Sequence, residues 1–382
     1  MLSCEDGAMV WLRGHVFTVA AALTSVTSLV LAGCARSDSG VGGRDREAAY
    51  GRVVKDPHPS AEAVIEAAGA PAGVARAGDG SLLLSYNVRG IGDDEGPAAA
   101  AWRIVSPAGR TVAQRAWHAN VEDRPDRYIG VRDGFVRWHR SSRGAQSVYA
   151  LDVGGKRHEV TTSVRALGTR PGDVVLNEGI PALLYRPAER TVATPAGAAE
   201  YEDVAMDERG TLWFMVRSQT PHRVVQQRDG RTLTSTPVPK PYTSGGALIA
   251  AGGTTALALL RGGTVRGLMV SEDGGAHWRN LTGGGIPWQD LKRDVVFLVL
   301  RALPDGRLLV GERQGRYWLA EDRSNRSFRQ LRTPVPFTSF TVQGKTLYGI
   351  ADATRASYDL VKGEGLYASD DGGRTWRRQK RG

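Results

Sequence analysis

Two stretches of this chain are near-copies of one another, set 98 residues apart: Ser271-Glu272-Asp273-Gly274-Gly275-Ala276-His277-Trp278 and Ser369-Asp370-Asp371-Gly372-Gly373-Arg374-Thr375-Trp376. Both read S-x-D-x-G-x-[TH]-W, and each follows a short apolar run, Gly267–Val270 or Gly365–Ala368. A worn copy lies midway, 49 residues from each, where Leu319-Ala320-Glu321-Asp322 leads to Phe328-Arg329. A fixed period of this size means that one supersecondary unit is stacked or arrayed radially, because a single such unit cannot bury its apolar face alone.

The motif has a physical logic. Asp-Gly-Gly between two strands supplies positive-φ positions for a tight turn. The carboxylate of Asp273 or Asp371 can accept hydrogen bonds from that turn's own N–H groups, and Trp278 or Trp376 can then bury a large ring. The two full copies resemble the Asp-box of sialidase-like β-propellers. The resemblance implies a β-propeller in which Ser271, Asp273, Gly275, Trp278, Ser369, Asp371, Gly373 and Trp376 are structural, on peripheral turns away from the ligand face.

Seven units carry the same pairing of a Gly-containing turn with an apolar strand. Their strands are expected at Ser81–Tyr86, Phe135–His139, Pro181–Tyr185, Thr211–Val216, Thr254–Leu260, Arg307–Val310 and Lys345–Ile350. Residues 61–382 divided among seven give about 46 each, the size of a four-stranded blade. The expected fold is therefore all-β, a propeller of seven four-stranded blades, with six as the alternative. The third unit is short, and no helix is expected beyond a turn near Ala61–Ala68.

The first 33 residues set an address. An apolar stretch from Val16 to Val30 is too short for a comfortable membrane span and suits a signal-peptide core, with Arg13 as its positive flank. Glu5 and Asp6 fit that flank poorly, so Met9 is the expected start. Leu31-Ala32-Gly33-Cys34 resembles the bacterial lipobox residue for residue. That resemblance implies cleavage before Cys34, lipid on its sulfur, and a place on the extracytoplasmic face of the cell membrane. Residues 34–60, rich in Gly, Ser and charge, read as a flexible tether.

With Cys4 upstream of the cleavage point and Cys34 lipidated, no thiol remains for a disulfide or a zinc site. The seven His residues show no HxH or HxxxH spacing, and neither a metal nor a cofactor is expected. The formal charge is +10, carried by scattered Arg residues with only seven Lys. Scattered in this way the charge reads first as a solvated surface and second as an attraction to anionic membrane or wall polymers, and an exported chain argues against nucleic acid.

A second periodicity concerns function. Pro241-Tyr242, Pro287-Trp288 and Pro336-Phe337 each place an aromatic after a Pro, at spacings of 46 and 49 residues. Tyr242, Trp288 and Phe337 could form a stacking rim at the channel mouth, or each could wedge between adjacent blades. Arg217 and Arg313, each after a second strand, are further candidates for the ligand face. Enzymatic members of the resembled family grip a carboxylate with three Arg and use a Tyr nucleophile assisted by Glu. Here the string nearest the family's first Arg motif is Trp102-Arg103-Ile104-Val105, which lacks its Pro, and Arg316, Tyr201-Glu202-Asp203 and Asp290 cannot be assigned roles. The catalytic residues thus stay unassigned. The expected function is a surface lipoprotein whose non-catalytic propeller recognises a glycan or an exported protein. The alternative is an exo-sialidase-like glycoside hydrolase.

Overall fold

A computed structural model describes residues 48–49, 51–88, 98–119, 127–140, 146–176, 182–197, 203–216, 221–291, 298–312, 315–351 and 364–379. It contains seven four-stranded sheets, the blades of a seven-bladed β-propeller. Blade 1 holds β1 (Gly73–Arg76), β2 (Leu82–Val88), β3 (Ala98–Val105) and β4 (Thr111–Ala119). Blade 2 holds β5 (Arg127–Val131), β6 (Gly134–Arg140), β7 (Gln146–Asp152) and β8 (Arg157–His158). Blade 3 combines β9 (Thr161–Thr162), β10 (Val174–Leu176), β11 (Leu183–Arg186) and β12 (Thr191–Ala193). Blade 4 holds β13 (Val204–Met206), β14 (Leu212–Val216), β15 (Arg223–Arg228) and β16 (Arg231–Pro237). Blade 5 holds β17 (Ser244–Ala251), β18 (Thr254–Arg261), β19 (Thr264–Ser271) and β20 (Arg279–Leu281). Blade 6 holds β21 (Leu298–Ala302), β22 (Leu308–Glu312), β23 (Tyr317–Ala320) and β24 (Phe328–Gln330). Blade 7 holds β25 (Ser339–Gln343), β26 (Thr346–Ala351), β27 (Gly365–Ser369) and β28 (Arg377–Arg378).

Each of the seven expected strands overlaps a blade's second strand, the turn expected before the third lying outside the described residues. These strands are apolar without alternation because both of their faces are covered by neighbouring blades, and β18 and β26 are buried almost end to end. The outermost strands are wetter: β16 is mostly exposed. Six sheets are antiparallel meanders. In blade 3 the outer strand is instead β9, supplied by the preceding segment and paired parallel to β12.

The core is divided into wedges between blades. One apolar cluster joins blades 4 and 5 through Trp213, Met215, Leu257 and Met269. Another joins 5 and 6 through Leu268, Val270, Leu308 and Trp318, and a third joins 6 and 7 through Leu309, Tyr317, Phe340 and Leu347. Blades meet closely at their turns as well. A Cβ on Gly130 would lie 1.8 Å from the carbonyl oxygen of Arg76, so only glycine fits where β5 crosses β1.

The ring closes without strand exchange, since blade 1 and blade 7 each use four consecutive strands of their own. β1 packs beside β25, and helix α1 (Ala61–Ala68) braces blade 1 at this seam. Ser60 caps α1, its Oγ accepting from Ala63 N–H at 3.1 Å. Val64 and Ile65 bury one face against a cluster that includes Tyr86 of blade 1 and Ile350 and Leu366 of blade 7. The expectation of no more than a turn here is corrected to a two-turn helix: its apolar spacing of three and four residues serves the seam. The tether boundary moves too, because residues 51–55 are helical and Val53 is 3 % exposed within the same cluster.

Candidate functional site

The inner strands β1, β5, β10, β13, β17, β21 and β25 surround the propeller axis. Their charged residues are Arg76, Arg127 and Arg301, and none of these strands contains Asp or Glu. Arg76 turns toward blade 7, where its Nη1 donates to Thr346 Oγ1 at 3.3 Å. Arg127 is exposed. Arg301 is reached by solvent, yet the protein around it pulls its guanidinium below its ordinary value by desolvation. Its strand is innermost, so Arg301 is an exposed cation on the channel wall, with Nη1 donating to Leu300 O at 2.8 Å. It keeps its charge, since an arginine starts far above neutral pH. Among the described inner strands the charge is thus wholly positive.

The motif turns join the third and fourth strands of blades 5 and 7. Gly275 N–H donates to Ser271 Oγ at 2.8 Å, and Ser271 Oγ–H donates to Asp273 Oδ1 at 2.9 Å. His277 N–H donates to Asp273 Oδ1 at 3.0 Å, and His277 Nδ1 stands 2.7 Å from Oδ2. These donors hold the Asp273 carboxyl down at about 2, the His277 backbone bond foremost. Blade 7 repeats the pattern, with Asp371 accepting from Ser369 Oγ, Arg374 N and both N and Oγ1 of Thr375. Trp278 then meets Trp213 of blade 4 edge-on at 5.9 Å, and Trp376 meets Phe337 at 5.0 Å. The worn copy in blade 6 keeps a carboxylate, Asp322, which accepts from Ser324 N–H at 2.8 Å and Ser324 Oγ–H at 2.5 Å, and it adds Asn325. That side chain is fully buried, accepts from Leu308 N–H at 2.8 Å and donates to Gly306 O at 3.1 Å. A lone Asn in a degenerate turn gave no sequence signal.

The three Pro-aromatic positions do not build a rim. Phe337 is 0 % exposed and lies among Tyr317, Phe340, Tyr367 and Trp376. Trp288 is 3 % exposed in the wedge between blades 5 and 6, its Nε1–H donating to Gly283 O at 3.2 Å. Tyr242 is half-buried against the wedge between blades 4 and 5. The ligand-face reading of Trp288 and Phe337 is thus corrected: their spacing repeats because the wedges repeat. Arg103 is buried in the third strand of blade 1, its Nε donating to Gln114 Oε1 at 3.0 Å. Arg316 stacks over Trp318 at 5.3 Å and faces Glu312 at 3.7 Å. Arg217, Arg313, Tyr201, Glu202 and Cys34 lie outside the described residues.

A cavity of about 510 Å³ opens at the seam between blades 1 and 7. Leu84, Tyr86, Leu366 and Pro71 form its apolar walls, and Arg378 and Gln379 its polar edge. Among the described residues no group of three or more His, Cys, Asp or Glu side chains could hold a metal ion. No helix there is long and apolar enough to cross a membrane.

No family model matches the chain, and no curated protein matches it by sequence. Solved structures do resemble it. Puromycin hydrolase superposes with a TM-score of 0.49 and 15% identity over 84% of this chain and 55% of its own. This chain therefore spans little more than half of that one. The β-propeller domain of the trilobed protease from Pyrococcus furiosus, described as an open velcro topology, gives 0.48 and 10% identity over 81% of this chain and 95% of its own. AztD from Citrobacter koseri gives 0.42 and 13% identity over 78% and 90%. The assignment of this chain to the seven-bladed β-propellers rests on its own seven sheets.

Proposed function

We propose that this chain is an exported lipoprotein, anchored through Cys34 on the extracytoplasmic face of the cell membrane. Its propeller binds an acidic group of a glycan or of an exported protein partner, without turnover. The observation that carries the binding reading is Arg301: a guanidinium standing in the channel on a ring of strands that bear no carboxylate. Such a group attracts an anion from a distance and can pair with its oxygens through the guanidinium fork. The lipobox spelled by Leu31-Ala32-Gly33-Cys34 supports the anchor, and fold alone would not choose among propeller functions.

The test uses soluble protein spanning residues 35–382. On an array of acidic and neutral glycans, and in pull-downs of exported proteins, retained ligands should be acidic and should be weakened by Arg301→Gln. Capture that ignores both Arg301 and ligand charge would sink the reading. Hydrolysis of a fluorogenic α-sialoside would replace it with the sialidase-like one. Labelling of cells with a palmitate analogue should mark the full chain and not Cys34→Ala, which should appear in the medium.

A further inference from the structure

Blade 7 docks its motif turn onto blade 6, and three arginines meet there. Arg307 precedes β22, Arg329 lies on β24, and Arg374 belongs to the turn itself. Arg307 and Arg329 are half-buried and Arg374 is exposed. Arg329 Nη2 donates to the carbonyl of Gly372. A Cβ built on Gly372 would lie 3.7 Å from Arg329 Nη2, 3.9 Å from Arg307 Nη1 and 3.5 Å from Leu319 Cδ2. The space over this glycine is thus a notch with room for an atom, bounded by two guanidinium groups and a methyl. The corresponding glycine of blade 5, Gly274, has nothing within 4 Å. The notch is therefore a property of the junction between blades 6 and 7, not of the motif turn in general.

The nearby carboxylates are already engaged. Asp371 accepts from Ser369, Arg374 N–H and Thr375. Asp305 accepts from Arg307 N–H at 3.1 Å and Arg307 Nε at 2.9 Å, leaving Nη1 of that arginine toward the notch. Glu321 accepts from Ser327 Oγ. Arg329 is drawn below its ordinary value by burial first and then by Arg374 and Arg307, with Asp371 and Glu321 opposing.

We propose that this notch is an oxyanion site, in which Arg307 and Arg329 grip one phosphate-type group and Arg374 closes over it. Guanidinium forks match the oxygen spacing of phosphate, and one on β24 facing one at the entry to β22 supplies the geometry in advance. The phosphate could belong to a lipid headgroup, a polyol-phosphate polymer or the free ion. Arg301 takes no part, so this site stands or falls separately from the channel reading.

The test uses the full chain in a non-ionic detergent. Inorganic phosphate is titrated at constant ionic strength against wild type, Arg307→Gln, Arg329→Gln, Gly372→Asn and Gly274→Asn. Asn tolerates positive φ and fills the notch, so it serves where an arginine variant fails to fold. Saturable binding should weaken by about tenfold or more in the first three variants and be unchanged in Gly274→Asn, at the blade 5 turn that has no arginine over its glycine. Soluble poly(glycerol phosphate) and phosphatidylglycerol vesicles, each against an uncharged counterpart, then identify the natural source. A preference for either that depends on Arg307 supports the site and assigns its occupant. Absence of phosphate binding, or binding indifferent to Arg307 and Gly372, would overturn the proposal.

Discussion

Phe337 and Gly349 form the tightest side-chain-to-backbone fit of the wedge between blades 6 and 7. A Cβ on Gly349 would lie 2.1 Å from the Phe337 ring, and the ring itself is wholly buried. Phe337→Ala should cost about 3–5 kcal/mol, as large-to-small changes in a packed core do. Gly349→Ala should cost about 1–3 kcal/mol by overpacking. The double variant should be more stable than the sum of the two predicts, because the new methyl enters the space the ring leaves. Urea denaturation of all four proteins checks this, and strict additivity would mean that the two residues do not share one site. The same physics explains why Trp288 and Phe337 recur with the blade period without forming a binding rim.

Blade 3 is the weakest sheet by length, its strands running two to four residues. What holds it is a buried ion pair. Arg186 donates through Nε and Nη2 to the two oxygens of Asp173 at 3.0 and 2.9 Å, and Nη2 also reaches Gly168 O at 2.7 Å. Both side chains are no more than 5% exposed. The hydrogen bonds to Asp173 raise the guanidinium above its ordinary value, burial opposing. Breaking such a pair from one side strands a buried charge, so Asp173→Ala should cost about 3–5 kcal/mol. Replacing both partners with Asp173→Leu and Arg186→Met should recover much of that loss. Denaturation midpoints, with hydrogen exchange read over residues 161–196, distinguish this from a uniform effect. Equal losses in the single and double variants would show that the pair contributes geometry that apolar residues cannot supply.

The whole ring is joined at a seam without strand exchange, by packing and by the Arg76–Thr346 hydrogen bond. Closure falls to β1 against β25 and to α1, whose Val64 and Ile65 are buried in a cluster shared with blade 7. Ile65→Ala should cost about 2–5 kcal/mol, and its effect should be uneven. Hydrogen exchange should quicken in β1, β2, β26 and β27 before it quickens in β17–β19, on the far side of the ring. Uniform acceleration would mean that the ring opens only by global unfolding. The seam also holds the cavity edged by Arg378 and Gln379, so its volume and the integrity of closure are linked.

The blade count was readable from the chain because every second strand is buried on both faces and follows a glycine turn, which leaves an uninterrupted apolar run at a regular interval. The two motif copies were readable for a similar reason: their Ser, Asp and Gly bond to one another within a few residues. Local chemistry of that kind needs no partner elsewhere. The ring position of Trp288 and Phe337, the parallel outer strand β9, the bracing role of α1 and the channel position of Arg301 were not readable. Each depends on which residues a neighbouring blade brings alongside, and a side chain's exposure belongs to that meeting of distant segments, not to its own stretch of sequence.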